Sequence, residues 1–401
     1  MSLDSLPATT PIALLNANLF APEALGVRHL LLGGGSILWI GENPDEVRHV
    51  PDATVLDLQG ARLIPGLIDG HVHVTGGGGE AGFSTRVPAL SLSQYTTHGI
   101  TSVVGLLGTD DLARGPRELV ATLYGLRELG LSAWGHCGGY HLPPATITGS
   151  VRGDIVFVDP IIGVGELAIS DHRSSQPTLD ELLRVASEAH VAGLMTGKAG
   201  IVHLHLGDGV RGLELVERAL SQSELPPRVL QPTHVNRRRA LFDEALQLAE
   251  RGVVIDVTAF PVAEDEDAWS AADALLRYLD AGLPEHGITI SSDAGGCLPC
   301  FDQHGHITHM DVGDSGAMLA TLNEVVAAGL PLEHALPPFT RNVAQLLRLP
   351  RKGRIAVGAD ADLVALDEQG RATTVIANGR LHVREGRVLR RGPFERADAS
   401  A

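Results

Sequence analysis

Apolar and polar positions along the chain fall into two regimes. From residue 65 to about residue 310, short apolar runs alternate with stretches in which apolar residues recur every three or four positions. A short apolar run bounded by turn residues reads as a buried strand. The sets Leu119, Leu123, Leu126, then Leu179, Leu182, Ala186, then Leu213, Val216, Leu220 each mark one face of a helix. Eight runs can be counted, at 67–73, 101–107, 132–136, 161–166, 201–205, 230–234, 253–257 and 288–293. Strands alternating with helices over this length predict an α/β fold, a (β/α)8 TIM-like barrel; a doubly wound open sheet is the alternative the same alternation allows. Outside this region the helical spacing disappears. Runs at 12–15, 30–32, 37–40 and 55–58 are punctuated by Gly33-Gly34-Gly35 and Asn43-Pro44, and runs at 362–366, 374–376 and 381–383 are broken by Ala377-Asn378-Gly379. The expected organisation is a small β-sandwich built from residues 1–64 and 351–401, flanking a barrel at 65–350.

Composition narrows the function classes. With 401 residues and 44% hydrophobic content the chain can bury a large core, and a net charge of -17 with no basic stripe argues against nucleic acid or an anionic membrane as partner. Met1-Ser2-Leu3-Asp4-Ser5 lacks a basic segment followed by an apolar one, and no stretch is long enough without charge to span a bilayer, so a cytoplasmic location is expected. Three cysteines, an odd number, fit reduced thiols. Lysine occurs only at Lys198 and Lys352.

The barrel reading carries a check within the sequence, because active-site residues of that fold sit at the C-terminal ends of strands. Five of the eight runs end in the metal-capable residues His71 and His73, Glu166, His205, His234 and Asp293, and these are the candidate ligands. Residues two apart on a strand share a face, so both imidazoles of His71-Val72-His73 can reach one ion; a pair of polar strand-end histidines is the plainer reading of the motif alone. His203 shares the face of His205 and competes for its role, although Gly207-Asp208 marks the strand end beside His205. His29, His190 and His382 obey no such rule and are expected on the surface. His304, His306 and His309 are expected in a polar loop beyond the last strand, bordering the pocket at most.

The ordered motifs PGLIDGHVHVTGGGGEAG, TSVVGLLGTD, GGYHLP with TITGSV, AISDHRS, HLGD, PTHVNR and ISSDAGG resemble the metal-dependent amidohydrolase superfamily and, within it, the isoaspartyl (β-aspartyl) dipeptidases. The resemblance implies two Zn2+ per subunit, with His71, His73 and Asp293 on one and His205 and His234 on the other, bridged by a carboxylate from the fourth strand and a hydroxide. It makes Asp293 the general base and acid and Tyr140 the donor to the scissile carbonyl. It places Glu80 on the free α-amine of a small dipeptide, with Gly78 and Gly79 lining the same loop, Arg173 and Arg237 on its carboxylates and Thr109 as a smaller polar contact. It also implies a large homo-oligomer, an octamer.

Two departures from the family pattern stand out. The family's bridging position holds a lysine carboxylated by CO2, whereas Gly163-Val164-Gly165-Glu166 puts glutamate there. Neither lysine of this chain can replace it, so no carboxylated lysine is expected, and the glutamate carboxylate lies roughly 3 to 4 Å closer to the backbone. The fourth strand must then approach, or one metal must bind more weakly. The second departure is Cys297-Leu298-Pro299-Cys300, where the family has serine at the first position. Cys297 is expected as a pocket wall in contact with substrate and Cys300 as packing; a thiol that captures zinc is a further reading. The function expected is zinc-dependent hydrolysis of β-aspartyl dipeptides. The alternatives are a cyclic amidase or N-acyl amino acid deacylase, and a non-catalytic barrel scaffold.

Overall fold

A computed structural model describes residues 10–301 and 307–396. Eight parallel strands form the central barrel: Leu67–Val72, Ile100–Gly105, Ser132–Cys137, Ile161–Ile169, Val202–Leu206, Leu230–Thr233, Ile255–Thr258 and Ile288–Ser291. The first six form one hydrogen-bonded sheet and the last two another, and a parallel bridge from Val72 to Ala294 brings the chain after the eighth strand against the first. That contact closes the barrel and removes the open-sheet alternative.

Strand alternation decides what faces inward. On the fifth strand Val202, Leu204 and Leu206 pack outward in the core between strands and helices, which leaves His203 and His205 for the interior. The helices predicted from spacing are present as Pro116–Leu129, Leu179–Thr196 and Glu214–Gln222. Thr178 opens the second with a capping box to Glu181 and Gly197 closes it at φ 76°, the left-handed conformation that glycine adopts without a Cβ clash. The barrel floor is apolar: Ile68, Val104, Ile162 and Ile201 pack on Val343, Leu346 and Leu347 around the helix Arg341–Leu346. No helix among the described residues is long and apolar enough to cross a membrane.

Both termini contribute to a single nine-stranded sheet, in which Arg62–Pro65 pairs with Leu363–Leu366. The strand Ile12–Phe20 is shared: residues Ile12 to Leu15 pair with Thr54 to Asp57, and Asn18 and Leu19 with Arg62 and Leu63. Between them lies an irregularity at Asn16, φ 54°. One hydrogen-bonded sheet thus folds around a core that includes Leu14, Leu30, Leu63, Leu363 and Ile376, rather than two separate sheets packing face to face.

Two expectations about histidines and loops are corrected. His29 and His382 are buried, not solvated; the His29 ring accepts from the Asn16 backbone, and burial pulls the His382 imidazole down to about 3. His190 is half-buried. The segment expected as a polar loop contains a hairpin, Cys297–Phe301 with Ile307–Val312, and His309 lies in its second strand, exposed. His304, His306 and the Cys300 side chain fall outside the described residues.

Candidate active site

A cavity of about 430 Å³ opens at the C-terminal end of the barrel, where the βα loops meet. His71, His73, Glu166, His205, His234 and Asp293 converge at its base, all buried. Glu166 lies among four imidazoles. Its Oε1 is 3.3 Å from His73 Nε2, and its Oε2 is 2.9 Å from His205 Nδ1, 3.4 Å from His234 Nε2 and 3.6 Å from His71 Nε2. Asp293 Oδ1 completes the other side, 3.1 Å from His73 Nε2 and 3.4 Å from His71 Nε2.

Local backbone places these groups. Opposite the step from Val202 to Leu204, the fourth strand advances from Val164 to Leu167, one residue more, so it bulges at Gly165-Glu166. Gly165 (φ 149°) lies so close to the fifth strand that a Cβ there would sit 2.6 Å from the His203 carbonyl oxygen. Glutamate, shorter than the carboxylated lysine of the family, thus stands on a strand segment pressed toward its neighbour. His234 and Asp293 follow their strands in the left-handed region, φ 60° and 54°, which turns both side chains back over the barrel mouth. His234 Nδ1 is held by Thr258 Oγ1 at 2.7 Å, leaving Nε2 toward Glu166.

The donor set tests whether a metal fits. His71 Nε2 and Asp293 Oδ1 are buried without a hydrogen-bond partner, though they face each other. Imidazole nitrogens and carboxylate oxygens from His71, His73 and Asp293, and again from His71, Glu166 and His234, lie within 4.8 Å of one another. His205 joins the second group through Glu166. Such sets suit a divalent transition ion, and His71 belonging to both places the two groups side by side.

Charge in this cluster is strongly coupled. Burial alone would pull the His73 imidazole down, but Asp293 and Glu166 beside it hold it up at about 10. His234, buried with less compensation from Glu166, falls to about 3. Burial opposes ionisation of Glu166 and Asp293 as well, yet the surrounding histidines keep both well below the usual carboxylate range.

Around the base stand the polar groups expected to meet substrate. Thr109 donates to Glu80 Oε1 at 3.0 Å, and Arg173 NH1 lies 3.6 Å from the same oxygen. Tyr140 is buried with its hydroxyl 2.9 Å from His205 Nδ1, and burial pushes the phenol well above its ordinary value. Arg237 donates to the Leu206 carbonyl at 2.8 Å and lines the cavity, as do Gly78 and Cys297. Gly77 rather than Gly79 is the second glycine in the wall. Lys198 is far away, its ammonium donating to the carbonyls of Ile155, Val158 and Ile161 at the opposite end of the barrel.

Several residues escaped sequence reasoning. Asp171 grips Arg173 with both oxygens, at 3.1 and 2.7 Å, and touches His205 Nε2 at 3.1 Å. Its place two residues before Arg173 in SDHRS was the available signal. Arg114, buried, donates to the carbonyls of Thr75, Gly77 and Val87 and so holds the glycine loop. Nothing in the sequence pattern marks it, because its acceptors are backbone. Phe260, Pro261 and Leu298 add an apolar side to the cavity.

Residues 62–382 match the amidohydrolase family model. The chain belongs to the amidohydrolase family. Its structure superposes on that of the beta-aspartyl dipeptidase of Fervidobacterium islandicum AW-1, in complex with beta-Asp-Leu dipeptide, with a TM-score of 0.92 and 40% identity over 97% of this chain and 100% of that one. A second structure of that Fervidobacterium enzyme gives a TM-score of 0.88 at 40% identity, over 96% of this chain and 100% of that one. Among curated relatives, a deacetylase of Agrobacterium fabrum is 26% identical over 84% of this chain and 78% of its own length. The likeness to β-aspartyl dipeptidases read from the motifs, and the barrel with a terminal sheet, are both borne out. The family is hydrolytic and metal-dependent, so the chain is an enzyme rather than a scaffold.

Proposed function

We propose that the chain is a zinc-dependent β-aspartyl dipeptidase. The observation that carries the reading is Glu166, whose two carboxylate oxygens face His73 on one side and His205 and His234 on the other. Two zinc ions held by His71, His73 and Asp293 and by His205 and His234, with Glu166 shared and no carboxylated lysine, would supply a water acidic enough to attack near neutral pH. Asp293, ionised and beside His73, takes the proton of the attacking water and delivers it to the leaving amine. Tyr140 keeps its proton at working pH and donates it in a hydrogen bond to the scissile carbonyl as negative charge develops there.

Specificity follows from charge placement. A β-aspartyl residue carries its free amine and free α-carboxylate on one carbon. Glu80 and Arg173, 3.6 Å apart, present an anion and a cation side by side to match them, with Thr109 and Asp171 fixing their directions. Arg237 is left for the carboxylate of the leaving residue, and Cys297 for the pocket wall. In an α-linked isomer the α-carboxyl is inside the peptide bond, so Arg173 loses its partner.

The likeness to a deacetylase makes an N-acyl substrate the competing possibility, and Glu80 separates the two. Glu80→Gln is expected to cost about 2 to 5 kcal/mol in kcat/KM on free-amine dipeptides and much less on their N-acetylated counterparts. Equal losses on both would remove the amine anchor and favour the deacylase.

A further inference from the structure

Behind the metal-binding face of His71, the barrel interior is polar, and its hydrogen bonds run in one direction. Asp256, on the seventh strand, is buried and receives three hydroxyls: Thr233 Oγ1 at 2.7 Å, Ser291 Oγ at 2.6 Å and Thr289 Oγ1 at 2.5 Å. A hydroxyl has one proton. Thr289 directs it to the carboxylate in preference to the Ile255 carbonyl at 3.5 Å, so the 3.1 Å contact from Gln231 Nε2 must be donated by the amide. That orientation of the amide turns Gln231 Oε1 to His203 Nδ1, 2.9 Å away, and the imidazole must donate there. His203 Nε2 is left with its lone pair, 2.8 Å from His71 Nδ1.

We infer that His203 is a positioning residue: the relay Asp256–Thr289–Gln231–His203 fixes the proton of His71 on Nδ1 and so keeps the Nε2 lone pair aimed at the metal position. The inference rests on the proposed reading of His71 as a metal ligand. His71 Nε2, without a hydrogen-bond partner, is the atom that faces Asp293 and Glu166, as the relay requires. Five strands of the barrel contribute: the first carries His71, the fifth His203, the sixth Gln231 and Thr233, and the seventh and eighth lock Asp256 with Thr289 and Ser291. The ring of His136 stacks on His203, centroids 5.5 Å apart and planes 20° from parallel, so His203 is held in plane as well as by its two nitrogens. His203, which shares a strand face with His205, thus orients a ligand from behind instead of competing for the ion.

The test is zinc affinity, measured by chelator competition on the full-length protein, together with the melting temperature of the metal-free form and the visible spectrum of the cobalt-substituted form. His203→Phe keeps the flat ring against His136 but removes the acceptor. It is expected to weaken zinc binding roughly ten- to a hundredfold and to shift the cobalt bands. His203→Gln, whose amide again offers one acceptor and one donor, is expected to restore most of that loss. A merely structural role would lower the metal-free melting temperature and leave affinity and bands alone. Wild-type affinity in a folded His203→Phe protein would overturn the inference. If that variant does not fold, Gln231→Met breaks the relay one step further back and is expected to weaken zinc in the same direction; unchanged affinity there overturns the inference equally. A wild-type protein that takes up no zinc would refute the metal-centre reading itself, and this inference with it.

Discussion

At the scale of single residues, the proposed mechanism divides the cluster between groups that would hold metal and groups that would move protons. Asp293 is in both. Asp293→Asn retains an oxygen that can coordinate but cannot shuttle a proton, so the variant is expected to keep most of its zinc and lose turnover; metal analysis beside a rate measurement checks both halves. Tyr140→Phe is expected to lower kcat by about two to three orders of magnitude with zinc content unchanged, the scale of one lost donor to a developing oxyanion. An effect confined to KM would make Tyr140 a binding residue. Cys297 supplies a pH test. Burial, with Glu80 nearby, pushes its thiol up to about 12 from an ordinary 9, so below that value the protonated form dominates. Alkylation follows the thiolate. Peptide mapping should therefore find Cys297 slow to alkylate at pH 8 relative to a free cysteine, and faster as pH rises toward 12. Rapid labelling at pH 8 would contradict the assignment of a neutral pocket wall.

At the scale of elements, two arrangements set the site. The bulge at Gly165-Glu166 brings a short carboxylate to a position where the family uses a longer group. In the proposed two-zinc site, Glu166→Gln removes a negative charge that both dications would share, and it should release or weaken at least one zinc. Activity of the natural protein should be indifferent to added bicarbonate, and mass spectrometry should find no CO2 adduct on lysine. Full activity in Glu166→Ala would refute the bridging assignment. The glycine loop depends on Arg114. Arg114→Leu leaves carbonyls without their buried donor, at about 1 to 3 kcal/mol each, and is expected to lower kcat/KM on free-amine substrates by about tenfold without loss of zinc. The ends of most strands were legible in advance because their period and their terminal residues carry the signal: His71, His73, His205, His234 and Asp293 stand where the apolar runs stop, whereas Glu166, expected at the end of the fourth strand, lies inside it, because the strand continues through Leu167 and Ala168 to Ile169. Arg114, Gln231 and Asp256 were not, since their partners lie on other elements and no local period marks a contact across a barrel. The hairpin at Cys297–Phe301 was missed because Pro299 interrupts its first strand and neither strand alternates apolar with polar residues.

At the scale of the whole molecule, barrel and terminal sheet are joined by a buried cation. Lys352 reaches Asp360 at 3.0 Å and Asp362 and Ser132 at 2.5 Å, linking the start of the third barrel strand to the segment that leads into Leu363–Leu366. Lys352→Met would leave the buried Asp362 without its cation, while Asp360 keeps Arg351 at 2.6 Å, and a loss of about 3 to 5 kcal/mol in unfolding free energy is expected, read by denaturant titration, with the initial rate at low temperature preserved. The terminal sheet was foreseen as strands and turns from both ends of the chain. Its closure through one shared strand was not, because the irregularity at Asn16 has no hydrophobic signature. In the proposed function this acidic barrel hydrolyses β-aspartyl dipeptides with bound metal. The most direct measurement is the rate of β-Asp-Leu hydrolysis beside that of α-Asp-Leu, on zinc-loaded and chelator-treated protein. Turnover of the β-linked isomer is expected to be far above that of the α-linked one, abolished by chelation and restored by zinc. Equal rates on the two isomers, or a β-Asp-Leu rate that survives complete removal of metal, would contradict it.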